Sequence, residues 1–339
     1  MDRISIKNYL KMIALIFLII FLFCFFTDEN YISFIYFIKG PLMNVGAIKE
    51  LLLIFTPLCI MGLSLTMIFT VGKINLSSEP SFIIGGLVAA IISVKFKLNP
   101  IIHPLVAILS AVIAGAFVTG LCAYFDEKLG LNIIITSLMI NYIVFYISRY
   151  YLLYYFRDGA ETMVASGLIR ESARLPRFYF GDISVLIAIL SAFALYIFLR
   201  KTNLGFKIRL TGANPVYAKY KGIEIGYHSL LAQCIAGALS GLSGALYLLS
   251  GFKRFDWLNM PGFGLDAVLI SLLAGLNPAY MPISAFVIAY IRTGSNILSR
   301  NSNMSPDIAL VMEAILIIFI LRINLKSGKI PSIDMRNKI

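Results

Sequence analysis

The feature that most constrains this chain is the recurrence of long runs with hardly a charged residue. Residues 51–72, 103–125, 133–155, 183–199, 228–250 and 279–298 are each apolar over a length close to that of the bilayer core, which takes about 20 helical residues to cross. Backbone groups in hydrocarbon must bond within their own segment, so such runs are helices. Of 339 residues, 59% are hydrophobic and 14% charged, with a mean hydropathy of +0.87. A soluble domain needs far more charge to cover its surface. A soluble enzyme, a disordered chain and a disulfide-stapled secreted domain are all excluded. The expectation is an all-α polytopic membrane protein of about ten segments.

The net charge of +12 belongs to loops held on the cytoplasmic side, and a nucleic-acid partner is not expected. The start, MDRISIKNYLK followed by MIALIFLIIFLFCFF, resembles a secretory signal but runs on into TDEN, without a small-residue cleavage site. Residues 10–27 therefore read as a retained first span entering from the cytoplasm. YISFIYFI, after it, is too short to cross and suits the interface. In 200–227, Arg200, Lys201, Lys207, Arg209, Lys219 and Lys221 face Glu224 alone. That loop and the tail, with Arg322, Lys326, Lys329, Arg336 and Lys338, fix both termini as cytoplasmic. The mixed-charge loop 156–182 falls outside.

Two segments break the pattern. VGKINLSSEP interrupts the chain before a short Gly-rich helix over 81–94, and GFKRFDWLNMPGFG precedes another over 265–276. Each follows a long helix and precedes long ones, so 228–322 repeats the order of 51–155 with opposite orientation. Paired interrupted segments in an inverted repeat point to a solute route, because non-helical backbone at membrane depth belongs beside protein or water. Polar groups at that depth mark function. Asn75 and Glu79 in the first break, Asn141 in ITSLMINYIVFY and Asp266 at the second short helix are the candidates for the translocation pathway. Glu79 and Asp266 also suit a helix start, where an acid complements the dipole, and Asn141 also suits a bond to a neighbouring helix. Arg292 and Glu313 fit an ion pair between the last two spans. Gly237, Gly241 and Gly244 give the small-residue spacing of close helix packing.

Nothing in the chain supplies energy or catalysis. There is no phosphate-loop motif: Gly72-Lys73 continues into Ile74. Cys24, Cys59, Cys122 and Cys234 lie singly in apolar runs and read as small hydrophobes. His103 and His228 are far apart in sequence. Neither a nucleophilic constellation nor a metal site is expected, and active transport would need another subunit to drive it.

NLGFKIRLTGANPVYAKYKGIEI, within 200–227, resembles the loop of permease subunits in bacterial ATP-binding-cassette (ABC) importers of the binding-protein-dependent ribose/nucleoside family, roughly G-x-x-x-R-x-x-G-x-N-x-x-A-A-x-x-x-G-I. Gly205, Arg209, Gly212, Asn214, Ala218, Gly222 and Ile223 fall on it, and Tyr217 replaces the first alanine of the pair. The resemblance implies that these residues form the element coupling the permease to its ATPase. By spacing alone, Asn214 and Pro215 suit the cap and first turn of a short helix over 215–221, which could equally lie on anionic lipid. INLSSEPSFIIGGL is similar to the family's F-N-I-G-A-E-G-Q stretch, keeping Asn75 and Glu79 but carrying Ser77 and Pro80 where glycines are usual. LNIIITSLMINYI, ESARLPRF and PGFGLDAVLISLLAGLNP are similar to stretches of the nucleoside branch. The likeness extends over about residues 50–322.

The resemblance implies a nucleoside permease in the bacterial cytoplasmic membrane, working beside a second permease subunit, a paralogue. It implies a cytoplasmic ATP-binding subunit and an extracytoplasmic solute-binding lipoprotein as further partners. ATP and magnesium would sit on the ATPase, with no cofactor on this chain. A pentose or hexose permease is the alternative within the family. An ion-coupled secondary transporter is the alternative outside it.

Overall fold

A computed structural model describes residues 30–159, 164–176, 178 and 181–301. The expected spans 10–27 and 305–322, Glu313, Cys24 and the basic tail lie outside the described residues. The elements are helical: α1 (Asn30–Met43), α2 (Val45–Thr70), α3 (Ser78–Lys95), α4 (Ile102–Leu129), α5 (Ile133–Tyr151), α6 (Ile183–Lys201), α7 (Asn203–Ala213), α8 (Pro215–Tyr220), α9 (Ile225–Gly251), α10 (Phe263–Leu273) and α11 (Met281–Asn301). Six helical stretches are long and apolar enough to cross a membrane: α2, α3, α4, α5 with its continuation to Phe156, α6 and α9. A seventh results if α10 and the stretch 278–301, bent by 112° at their junction, count as one span.

Several boundaries move outward from those read in the sequence. The first short segment, expected over 81–94, is an 18-residue helix from Ser78, and by length and composition it can cross. Proline causes the extension: Pro80 occupies the first turn, where its missing N–H would have had no partner. YISFIYFI is part of α1 rather than a separate interfacial stretch. The polar stretch 200–227 is mostly helical too. Thr202 caps α7 by accepting from Gly205 N, and Asn214 caps α8 by accepting from Tyr217 N. Gly222, at φ +73°, ends that turn in a conformation glycine adopts without steric cost.

Ile48–Ala289 form one compact unit, organised around α9. Gly237 and Gly241 of α9 meet Gly115 and Ala111 of α4 with bare backbone, while Gly85 of α3 lies against Gly241 and Gly244 against Phe82. A side chain at any of these glycines would collide with main chain, which is why three helices can approach so closely here. Serines tie α2 to the same helix: Ser64 Oγ donates to Ala236 O at 2.8 Å, Ser240 Oγ to Ser64 Oγ at 2.9 Å, and Ser243 Oγ to Pro57 O at 3.2 Å. By contrast, α4, α5 and α6 turn rows of large apolar side chains outward, among them Leu109, Ile113, Phe117, Ile143, Ile147, Leu190 and Phe193. That is the surface a lipid-facing helix presents.

The other unit takes in residues up to Ala47 and from Tyr290. Within it the Tyr290 hydroxyl donates to the Ile38 carbonyl, Gly40 lies against Ile297, and Gly294 against Phe37.

The order long helix, break, helix, long helix holds for 45–129 and again for 225–301. The helix that would complete the second copy, 305–322, lies outside the described residues.

Candidate functional site

The two breaks sit together inside the unit Ile48–Ala289, held in different ways. The first, residues 71–77, leaves α2 at Gly72, whose φ of +73° makes the turn. Asn75 is fully buried. Its Nδ2 donates to Gln233 Oε1 of α9 at 2.7 Å, and its Oδ1 accepts from Ser77 N at 2.8 Å. Leu76 N donates to Ser137 Oγ of α5 at 3.2 Å, and Thr119 Oγ1 of α4 reaches Ser77 O at 3.4 Å. Ser81 Oγ and Thr119 Oγ1 are 2.7 Å apart, as are Ser64 Oγ and Ser78 Oγ at 3.0 Å. At the near end Lys73 pairs with Asp126, and with Glu127 at 3.2 Å, both on the last turns of α4. Burial works to lower the Lys73 pKa, but the hydrogen bond to Asp126 and the charges of both acids hold it above the ordinary lysine value.

The second break, residues 252–262, runs back along α3 as irregular chain. Trp257 stacks on Phe82, centroids 5.0 Å apart and planes at 9°, and leaves no room for a side chain at Gly86. Tyr247, Phe255 and Phe263 complete the aromatic cluster. Farther along, Gly262, at φ +75°, donates its N–H to Glu79 Oε1 at 2.9 Å. Trp257 thus lies beside the middle of α3 and Gly262 beside its first turn, so non-helical chain descends between apolar helices. Backbone of that kind at such a place is the hallmark of a cavity-lining segment.

Of the sequence candidates, Glu79 and Asp266 meet around this point. Glu79 is 8% exposed, and Asp266 sits at 3% in the first turn of α10. Asn75 belongs to the same break as Glu79. Asn141 lies one turn beyond Ser137 on the buried stripe of α5, and its Oδ1 finds no hydrogen-bond partner among the described residues. No printed contact joins it to Glu79. Gln233, Trp257 and Phe82 were not singled out by the sequence. A glutamine inside the Gly-rich α9 run was the available signal for the first of them.

Where the second break begins, residues 157–175 cover it. Arg254 Nη1 donates to Asp158 Oδ2 at 2.8 Å and to Ser166 O at 2.9 Å, Ser166 N donates to Phe255 O, and Ile169 N to Lys253 O. His103 is fully buried, with Nδ1 2.8 Å from Ser172 Oγ.

The stretch 200–227 meets the first break from its own side. Gly212 rests directly on the backbone of Thr70, Val71 and Gly72, and Gly205 on that of Phe198 and Leu199. Ala218 is fully buried. These motif residues therefore shape the element from within. Its outer face consists of other side chains: a cleft of about 340 Å³ lined by Phe206, Leu210, Tyr217 and Ile223 between Lys207 and Lys221. Val216 and Tyr220 stand exposed beside it, Tyr220 at 87%. Arg209 is half-buried at the base of this element. Among the described residues no group of three His, Cys, Asp or Glu side chains could hold a metal ion.

A family model described as branched-chain amino acid transport system / permease component matches residues 47–321. The nucleoside ABC transporter permease protein NupB of Lactococcus lactis is 27% identical over 295 residues, 83% of this chain and 80% of that protein. The guanosine ABC transporter permease protein NupP of Bacillus subtilis is 23% identical over 295 residues, 84% of this chain and 82% of its own. The glucose ABC transporter permease protein TsgB13 of Haloferax volcanii is 24% identical over 287 residues, 81% and 76%.

Proposed function

The chain belongs to the family of branched-chain amino acid transport system permease components, and from that premise we propose that it is the permease subunit of an ABC importer for nucleosides. The observation that carries a transport role is the irregular segment 252–262, which reaches Glu79 between apolar helices. Two breaks meeting at depth suit a route lined by Asn75, Glu79, Asn141 and Asp266. Two relatives named for nucleosides or guanosine support the cargo. The relative named for glucose supports a second reading, a hexose.

In this reading the chain crosses the cytoplasmic membrane about ten times, as an inverted repeat of 51–155 and 228–322, with both termini inside. Stretch 200–227 is then cytoplasmic. Gly205, Arg209, Gly212, Asn214, Ala218, Gly222 and Ile223 set the shape of α7 and α8, and the apolar cleft between Lys207 and Lys221 receives the ATP-binding subunit. Such a cleft, apolar at its centre and basic at its rim, has the composition of a protein interface. ATP and magnesium act on that partner, which rocks this chain and a paralogous permease between inward- and outward-open states. A solute-binding lipoprotein delivers cargo from outside.

Uptake tests the proposal. Cells expressing the permease with its cognate subunits should accumulate labelled guanosine or uridine, with excess glucose leaving the rate unchanged. Uptake should stop on ATP depletion and survive an ionophore. Competition by glucose would shift the cargo to the hexose reading, and collapse with the ionophore alone would replace ATP drive by ion coupling.

A further inference from the structure

Glu79 has a role that the route alone does not require. Its carboxylate receives the N–H of Gly262 at 2.9 Å, at the N-terminus of the 11-residue α10, whose cap residue supplies no side-chain bond of its own. The opening amides of a helix lack intrahelical acceptors and carry the positive end of its dipole. At membrane depth, water is not there to satisfy them. A carboxylate from the first turn of α3 does so. Residue 264 accommodates it by being bare: a Cβ there would lie 2.7 Å from Glu79 Oε2. Gly262 at φ +75° turns its amide toward the acid. Three features, from residues 183 apart along the chain, thus converge on one bond.

We propose that Glu79 is a positioning residue: it clasps the start of α10 to the start of α3, so that the two breaks move as one body. The proposal rests on the reading of these breaks as the route, but its structural test does not depend on any solute. An acceptor oxygen at the right reach is what the clasp needs. Glutamine supplies one, alanine supplies none, and aspartate falls a methylene short.

The test uses the full chain with Cys24, Cys59, Cys122 and Cys234 replaced by alanine and an Ala267→Cys reporter on the buried side of α10. Maleimide labelling of the reporter should stay at the parental level in Glu79→Gln. It should rise in Glu79→Ala and Glu79→Asp by about tenfold, the weight of one hydrogen bond to a charged group. Uptake should follow the same order, with Gln near parental and Ala and Asp low. Where Glu79→Ala does not accumulate in the membrane, Asp against Gln decides. Equal labelling in Asp and Gln overturns the clasp. So does a Gln variant as open as Asp, which would assign the charge itself to the solute. A parental chain that shows the labelling pattern but no nucleoside uptake leaves the clasp standing and removes the cargo reading.

Discussion

The two breaks are alike in sequence position and opposite in construction. Residues 71–77 are fixed by hydrogen bonds from side chains of α4, α5 and α9, with an ion pair at one end. Residues 252–262 are fixed by flat aromatic contact with α3 and by one carboxylate at the far end. Directional bonds from three helices specify a single geometry. Stacked rings tolerate sliding, since their attraction varies gently with offset. The first break is thus built as an anchor and the second as a part that shifts against it. A route needs both: a fixed wall to hold a solute and a segment whose displacement opens the path.

The strongest challenge to this contrast is Trp257→Ala. Removing the ring that covers Phe82 should lower stability by about 3–5 kcal/mol, the usual cost of a large aromatic truncated in a core. It should appear as a depressed thermal midpoint in detergent. A midpoint near parental would mean that the stack does not hold the second break. Asn75→Ala comes next. It strips Gln233 of its donor inside the protein and should cost about 1–3 kcal/mol. If it leaves the midpoint unmoved, the first break is no anchor. The smallest effect is that of Lys73. Its folded pKa is raised, so its contribution is present in full below the ordinary lysine value, near pH 10.4, and is lost as pH climbs through the higher folded value. The difference in midpoint between the parental chain and Lys73→Met should be constant across neutral pH and vanish only in strong alkali. A difference that already fades between pH 6 and 8 would assign the tie to another group.

Much of the scaffold was legible. Apolar runs revealed α2, α4, α5, α6 and α9, because hydrocarbon demands such runs, and glycine spacing on α9 marked where neighbours approach. Both breaks were visible as polar interruptions. What they touch was not. Glu79 finds Gly262 across 183 positions and Asn75 finds Gln233 across 158, and no local pattern encodes a pairing made by helix packing. The stretch 200–227 shows the complementary limit. Its resemblance rests mainly on small residues, and Gly205, Gly212 and Ala218 are indeed where backbone crowds backbone. Phe206, Tyr217 and Lys221, which form the open cleft, are large side chains with no spacing rule to betray them.

The seat of Gly212 on Thr70, Val71 and Gly72 has a mechanical corollary. Where side chains separate two elements, a push is partly absorbed as rotamers rearrange. Here main chain bears on main chain, with no compressible layer between. Any tilt of α7 is therefore delivered undamped to the hinge at Gly72, four residues upstream of the serine that begins the next stretch of irregular chain's end, and from there to the anchor itself.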